Sequence, residues 1–488
     1  MIKIQHLFKN YRREFILGLM IVIYILYFTT ASFLRHDNFY TGRFDLGNMD
    51  QVAWNTIHGR IFQMTDPNGT QVISRLAFHA DFILILLSPF YFIWSSPKML
   101  LLIQTLVLSF GAIFVFLLAK KYIKNKHFPL LLSLAYLINP AVNYTNLYDF
   151  HPVTLATTFL LGASYFLLNK KYFLFVIFAI LSAITKEEIW IIIALFGFVI
   201  ILKNIRKSIR KVSIGIILSI VSLFIFYLLI WKIIPGVRGT QHFALSYYSD
   251  FGDSPGSIVK NIIFSPQKTF GIIFQNGRLI YLLQLFSPVG FLSLLSPLFL
   301  ILTAPEFAIN LLSNNPQLHQ IYYQYSSGIT PFIFVSAIFG IARIEKKFPK
   351  LKANYLIGYF LITVFISAFL FGPLPLSRNQ NIDMFTKPQS DKEILENFLS
   401  KIPQKYYVAS TNNLGPHLSH RREIYTIPVG IDKADIVIFL LNDKSALPSL
   451  SSQIQMAEDL KKNKNYFVIF QKDFFIAFAK KGSTRFFR

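Results

Sequence analysis

Asp45 and Asp50 stand in one short polar stretch, Phe44-Asp45-Leu46-Gly47-Asn48-Met49-Asp50-Gln51, which runs on to Trp54-Asn55-Thr56-Ile57-His58-Gly59 directly after the first long apolar segment. A carboxylate just above a bilayer can serve as a general base or hold a cation. From Asn48 onward, Met49, Val52, Ala53 and Thr56 share one helical face while Gln51, Asn55 and His58 share another. That pattern predicts a short amphipathic helix on the membrane surface. Asn48 and Gln51 have the spacing of a capping pair, which leaves Asp45 upstream and free of that duty. Asp45 is therefore the candidate catalytic residue and Asp50 a supporting one. The structural alternative is that Asp45 only closes a turn.

Further candidates lie in segments that return to the same face. His79, Asp81, Asp149, His151, Glu187 and Glu188 are supporting groups or ligands for a divalent cation. Asp149-x-His151 supplies two such ligands, and hydrogen bonding at the end of a span would account for it equally well. Glu187 and Glu188 point about 100° apart on a helix, so only one of them faces a shared site. Lys186 would neutralise one of them or touch a phosphate. Arg43, Arg60, Arg75, Arg238 and Arg278 could hold a phosphate by paired hydrogen bonds or anchor headgroups; Arg75, Lys186 and Arg278 are taken as the donor-phosphate candidates. His319 and Tyr322 complete the set. No phosphate-cradling glycine loop, zincin motif or nucleophile elbow is present.

These residues must be positioned by a membrane protein. Of 488 residues, 53% are hydrophobic and only 15% charged, Phe alone contributes 52, and the mean hydropathy is positive. The net charge of +24 falls in clusters between apolar runs, as the positive-inside rule requires, so it does not indicate nucleic acid. With no Cys, disulfides, thiolate catalysis and Cys-bound metal are excluded.

Lys3, Lys9, Arg12 and Arg13 precede an apolar run at 15–34, too long for a signal-peptide core, so the N-terminus is cytoplasmic and the loop at 35–80 emerges outside. Spans follow at 98–119, 128–143, 153–168, 172–185, 189–202, 212–234, 278–292, 294–313, 326–342 and 353–372, about 11 in all. Parity with the basic clusters at 120–126, 170–171, 203–211 and 343–350 requires the short run at 81–95, broken by Pro89, not to cross. Composition changes at Gly372-Pro373. Residues 1–372 are read as the membrane module and 373–488 as a small extracytoplasmic α/β domain, with strands at 406–410, 424–427 and 435–441, helices at 391–399 and 453–460, and a hairpin around Lys472-Asp473.

The opening stretch, with Trp54-Asn55-Thr56 and His58-Gly59, resembles the signature of a prokaryotic family of membrane proteins catalogued as domain of unknown function 2079. Ser74-Arg75-Leu76 with His79, the stretches 305–313 and 325–340, and Asn413-Leu414-Gly415-Pro416-His417-Leu418-Ser419 with Arg421 and Ile424-Tyr425 resemble it as well. The family is similar in turn to the GT-C superfamily of integral membrane glycosyltransferases. That resemblance implies a plasma-membrane enzyme moving a sugar from a polyprenyl-phosphate donor to a glycan, lipid or protein acceptor on the outer face, with Asp45 as base or metal ligand. A lipid phosphate is already a good leaving group, so a divalent cation is optional. The alternatives are a transporter or lipid flippase, for which Glu306 behind Pro305 is the best residue, and a non-catalytic envelope assembly factor.

Overall fold

The computed structural model describes residues 11–275 and 277–482; Lys3 and Lys9 of the basic flank lie outside the described residues. Helix α1 (Arg12–Asp37) has 26 residues, about 39 Å at 1.5 Å per residue, and delivers the chain straight to the acidic loop. There the helix α2 (Asn48–Ile57) and the antiparallel pair β1 (Gln63–Thr65) and β2 (Val72–Ser74) form a small polar platform. The run at 81–95 becomes a ten-residue apolar helical stretch, Ile83–Phe92, about 15 Å long and so too short to cross about 30 Å of hydrocarbon.

Helix α3 (Pro97–Tyr122) is the largely buried centre of the bundle. Around it lie α4 (Phe128–Leu137), α5 (Pro140–Leu147), α6 (Ala156–Leu168), α7 (Tyr172–Ala183) and α8 (Ile189–Asn204). The predicted span at 128–143 breaks at Asn139-Pro140, where Asn139 Oδ1 accepts the amides of Ala141 and Val142 and starts α5. Helix α9 (Ile209–Leu228) continues through a π turn and a further helical turn to Arg238. Its packing on α8 is close because Gly197 and Gly215 face each other and Ser219 Oγ donates to Ala194 O at 2.8 Å, the small-residue contact by which helices associate in lipid. Its remaining surface, including Ile216, Ile217, Ile220 and Phe224, is bare and apolar.

Among the described residues four helices are long and apolar enough to cross a membrane: α1, α3, the stretch Ile209–Arg238, and the one at Ala353–Phe371. The expected count of about 11 is thus not reproduced as continuous spans, several of the others being apolar helices of 10–17 residues. The largest departure is at 278–313. Instead of two spans, Arg278–Phe286 and Ala304–Leu312 are joined by single 3-10 turns, interrupted by Pro288, Gly290 in the left-handed region and Pro297.

The basic clusters gather at one end, as parity requires: Lys120 pairs with Glu14 at 2.6 Å, Lys121 donates to Asn169 Oδ1, and Glu345 accepts the amides of Lys124 and Asn125. The opposite end carries the acidic loop and the C-terminal unit. In that unit β3 (Val408–Ser410) pairs in parallel with β4 (Ile424–Thr426) and β5 (Ile436–Leu440), and β5 pairs antiparallel with β7 (Phe475–Lys480), which forms the hairpin with β6 (Tyr466–Lys472). Helices at Lys392–Ser400 and Leu450–Lys462 cover it.

This sheet is not separate from the acidic loop; it sits on it. Gln51 Nε2 donates to Arg421 O and Arg422 O, the Ile424 amide donates to Thr65 Oγ1, and the Phe44 amide donates to Asn412 Oδ1. Helix α2 is accordingly buried from Asn48 to Asn55, on its polar face as well as its apolar one. The expected surface helix is an internal one, because its polar face meets the C-terminal unit and not water. Asp50 is fully buried, accepting from Tyr91 OH at 2.6 Å, from His420 Nε2 at 3.1 Å and from Ser419 Oγ. Replacing Asp50 with Ala leaves those donors without an acceptor and is expected to cost about 3 kcal/mol or more. The measurement is a lowered thermal midpoint together with faster proteolytic release of the C-terminal unit; an unchanged midpoint would remove Asp50 from the docking.

Candidate active site

The acidic loop opens with a π-type turn, Arg43–Gly47, in which the Gly47 amide reaches back to Gly42 O, and the turn feeds directly into α2. The expected capping pair does not form: Asn48 Nδ2 donates to Phe44 O, and Gln51 Oε1 accepts from Arg43 Nη2 and the Thr65 amide. Asp45 is still free of capping, since it lies within the turn and points outward. Its Oδ1 accepts from His151 Nε2 at 3.0 Å and its Oδ2 from Tyr148 OH at 3.1 Å, while about 30% of the side chain stays exposed. Burial alone would raise its pKa. The His151 and Tyr148 hydrogen bonds outweigh that and hold the carboxyl below the usual range.

Asp149, one residue from Tyr148, behaves oppositely. It is buried with its backbone in the left-handed region, and its Oδ2 accepts the Gly42 amide at 2.7 Å. Burial, reinforced by the charge on Asp45, pushes its pKa up to about 7. Two carboxyls of the same ordinary strength are thus driven apart: Asp45 toward the anion at the surface of the site, Asp149 toward the protonated form beneath it, where it holds the loop backbone.

Asp45 and His151 line a cavity of about 830 Å³, and so do His79, Lys186, Glu187 and Glu188. Glu187 is almost fully buried: its Oε1 accepts from His79 Nδ1 at 2.8 Å, its Oε2 accepts the Ala80 amide at 3.0 Å, and His242 Nε2 lies 3.4 Å from Oε1. Burial opposes its ionisation, but His79, His242 and Lys186 together keep it well below the usual carboxylate range. Glu188 turns the other way and pairs with Lys186 at 2.5 Å. Burial would strip the Lys186 proton; Glu188 and Glu187 outweigh this and hold its pKa above the ordinary value. Across from these groups the wall is apolar, made by Phe226, Ile230 and Trp231 of the α9 stretch with Val259 and Ile262.

Other candidates are placed differently. Arg75 and Asp81 border the cavity but are bound to each other, Nη2 to Oδ2 at 2.7 Å and Nε to both carboxylate oxygens. Arg278 does not reach the site at all. It donates to Leu311 O at 2.6 Å and Ser313 O at 2.7 Å, closing the carbonyl end of Ala304–Leu312, where orphan acceptors draw a cation. Asp50 and Asp149 lie off the cavity wall, as does buried His319, whose Nδ1 has no hydrogen-bond partner. Tyr322 packs against Tyr144, Tyr148 and Tyr323.

Tyr148 and His242 were missed in the sequence. Tyr148 directly precedes the candidate pair Asp149-x-His151, and His242 is the one histidine of the loop at 235–277, so each left a faint signal.

Over residues 35–473 the chain matches the family described as "Predicted membrane protein (DUF2079)". It belongs to that family. No curated protein matches this DUF2079 chain. Its fold is similar to that of ArnT from Cupriavidus metallidurans, solved bound to undecaprenyl phosphate, with a TM-score of 0.52 over 96% of this chain and 98% of that one, at 7% identity. The archaeal oligosaccharyltransferase AglB from Archaeoglobus fulgidus, solved with an inhibitory peptide and a dolichol-phosphate, aligns with 97% of the DUF2079 chain and 75% of its own, with a TM-score of 0.44 and 14% identity. The fold is GT-C-like, as the resemblance implied.

The Asp149 shift has a measurable consequence. Unfolded, the carboxyl titrates near about 4; folded, it titrates at about 7, so the folded state holds the proton more tightly. Its contribution to stability is full below the unfolded value and is lost as pH rises through the folded one. Asp149→Asn is expected to lack this component, so the gap between its thermal midpoint and the wild type's should widen in the variant's favour as pH rises from about 4 to 8. Parallel curves would contradict the assignment.

Proposed function

We propose that the chain is a membrane glycosyltransferase that takes a sugar from a polyprenyl-phosphate carrier and passes it to an acceptor hydroxyl on the outer face of the cell membrane. In this reading residues 1–372 form the membrane module, the N-terminus is cytoplasmic, and residues 373–488 form a unit on the outer face. One observation carries the reading: Asp45, His151 and Lys186 share a single cavity whose far wall is the apolar surface of the α9 stretch. A carrier with a charged head and a hydrocarbon tail requires that combination.

The acceptor oxygen attacks the anomeric carbon as the bond from that carbon to the carrier phosphate breaks, its electron pair leaving on the phosphate oxygen. The acceptor proton passes to Asp45, which His151 and Tyr148 orient. Asp45 is a weak base, and that suffices, because phosphate departs without being protonated and proton transfer follows late in the attack. Lys186, beside the cavity, supplies charge to the leaving phosphate. Arg75, held by both oxygens of Asp81, positions the turn before His79 and is not the phosphate contact. Glu306, the residue that most favoured a transporter, opens into this same cavity, at the side of Glu188 and Lys186.

In vesicles holding the full chain and one polyprenyl-phosphate sugar at a time, Asp45→Asn is expected to slow release of free polyprenyl phosphate at least about 10²-fold. Lys186→Ala is expected to weaken polyprenyl phosphate binding about tenfold, or about 1.4 kcal/mol. Undiminished release by Asp45→Asn would exclude it from the mechanism. Release with none of the sugars would favour the non-catalytic assembly role.

A further inference from the structure

We propose that His79, Glu187 and His242 form a binding site for a divalent transition metal, zinc by its donor set. His79 follows the turn that Arg75 and Asp81 fix, Glu187 lies between α7 and α8, and His242 opens the 3-10 stretch Phe243–Phe251. Although these segments are far apart in the chain, one ligand atom from each lies within 4.8 Å of the other two. A tetrahedral zinc with bonds near 2.1 Å sets its ligand atoms roughly 3.4 Å apart. Here His79 Nδ1 and His242 Nε2 stand 2.8 and 3.4 Å from Glu187 Oε1, which brackets that spacing, and the three ligand atoms all lie within 4.8 Å of one another.

The second observation is His242 itself. Its side chain is 5% exposed and aimed at Glu187, yet among the described residues its Nε2 has no hydrogen-bond partner, only the 3.4 Å ion-pair contact with Glu187 Oε1. A buried imidazole nitrogen normally has a partner, and a metal ion would give it one. Two imidazoles with one carboxylate suit zinc, whereas magnesium and calcium take mainly oxygen ligands. His242 Nδ1 accepts the Ala244 amide at 3.2 Å, which places the proton of the neutral ring on Nε2; ligation through Nε2 would move that proton to Nδ1, which then gives up the amide. All three residues border the cavity, so the open coordination position faces into it. That this position receives a phosphate oxygen rests on the transferase reading; the metal site itself does not.

The test uses the full chain in detergent, stripped with a chelator and titrated with zinc alone. One zinc per chain is expected, with affinity unchanged in Asp45→Asn and lowered more than about 100-fold in His242→Ala, beyond the 10–100-fold that loss of an outer-shell partner costs. X-ray absorption at the zinc edge of the wild type should show two imidazoles and one carboxylate, a readout that stands even if His242→Ala fails to fold. Absence of stoichiometric zinc, a different ligand shell, or a folded His242→Ala that binds like the wild type would overturn the site. Adding undecaprenyl phosphate should tighten zinc binding; if it does not while zinc still binds, the phosphate contact fails and the metal site remains.

Discussion

A polar loop at the edge of hydrocarbon must find its hydrogen-bond partners within the protein, because lipid offers none. The acidic loop meets this constraint on three sides. The helical bundle provides His151, Tyr148 and Asp149. The platform of β1 and β2 provides Thr65 for Gln51 and Arg43. The C-terminal unit provides Ser419, His420 and the carbonyls of Arg421 and Arg422. Arg43 shows how tight the fit is: it is fully buried among these groups, and Gly47 and Gly415 lie against its side chain, where a Cβ would crowd it.

That enclosure leaves Asp45 with one open direction. Its oxygens are aimed by donors from below, the sheet covers the loop from above, and the exposed part of the side chain faces the cavity under α9. Two charge pairs border the same cavity, Arg75 with Asp81 and Lys186 with Glu188, alongside Arg238 and Glu306. An apolar wall beside charged groups is what the proposed lipid-phosphate carrier would meet there.

Much of this was legible in the sequence, and the failures have physical causes. Long apolar runs fixed α1, α3 and the helix Ala353–Phe371 to within a few residues, and alternating apolar residues located all three parallel strands and the hairpin around Asp473. The pair at 278–313 was misread because hydropathy counts apolar residues regardless of whether prolines let them stay helical. Helix α2 was misread because a polar face looks the same whether water or another part of the chain covers it. Asp45 and His151 could be singled out as residue types, but not their contact, which joins positions 106 apart. Arg278 shows the converse: donation to carbonyls and donation to phosphate require the same side chain.

The partners that complete the acidic loop come late. Asp50 waits for Ser419 and His420, which follow it by 369 and 370 residues. At 5–20 residues per second, synthesis of that interval takes roughly 20–75 s. During that time Asp50 stands without two of the donors it has in the folded chain, Ser419 Oγ and His420 Nε2. A loop made among the first residues is thus completed only by residues made near the end, and a chain that stops before Ser419 leaves Asp50 with Tyr91 OH alone of the three side-chain donors it has when folded.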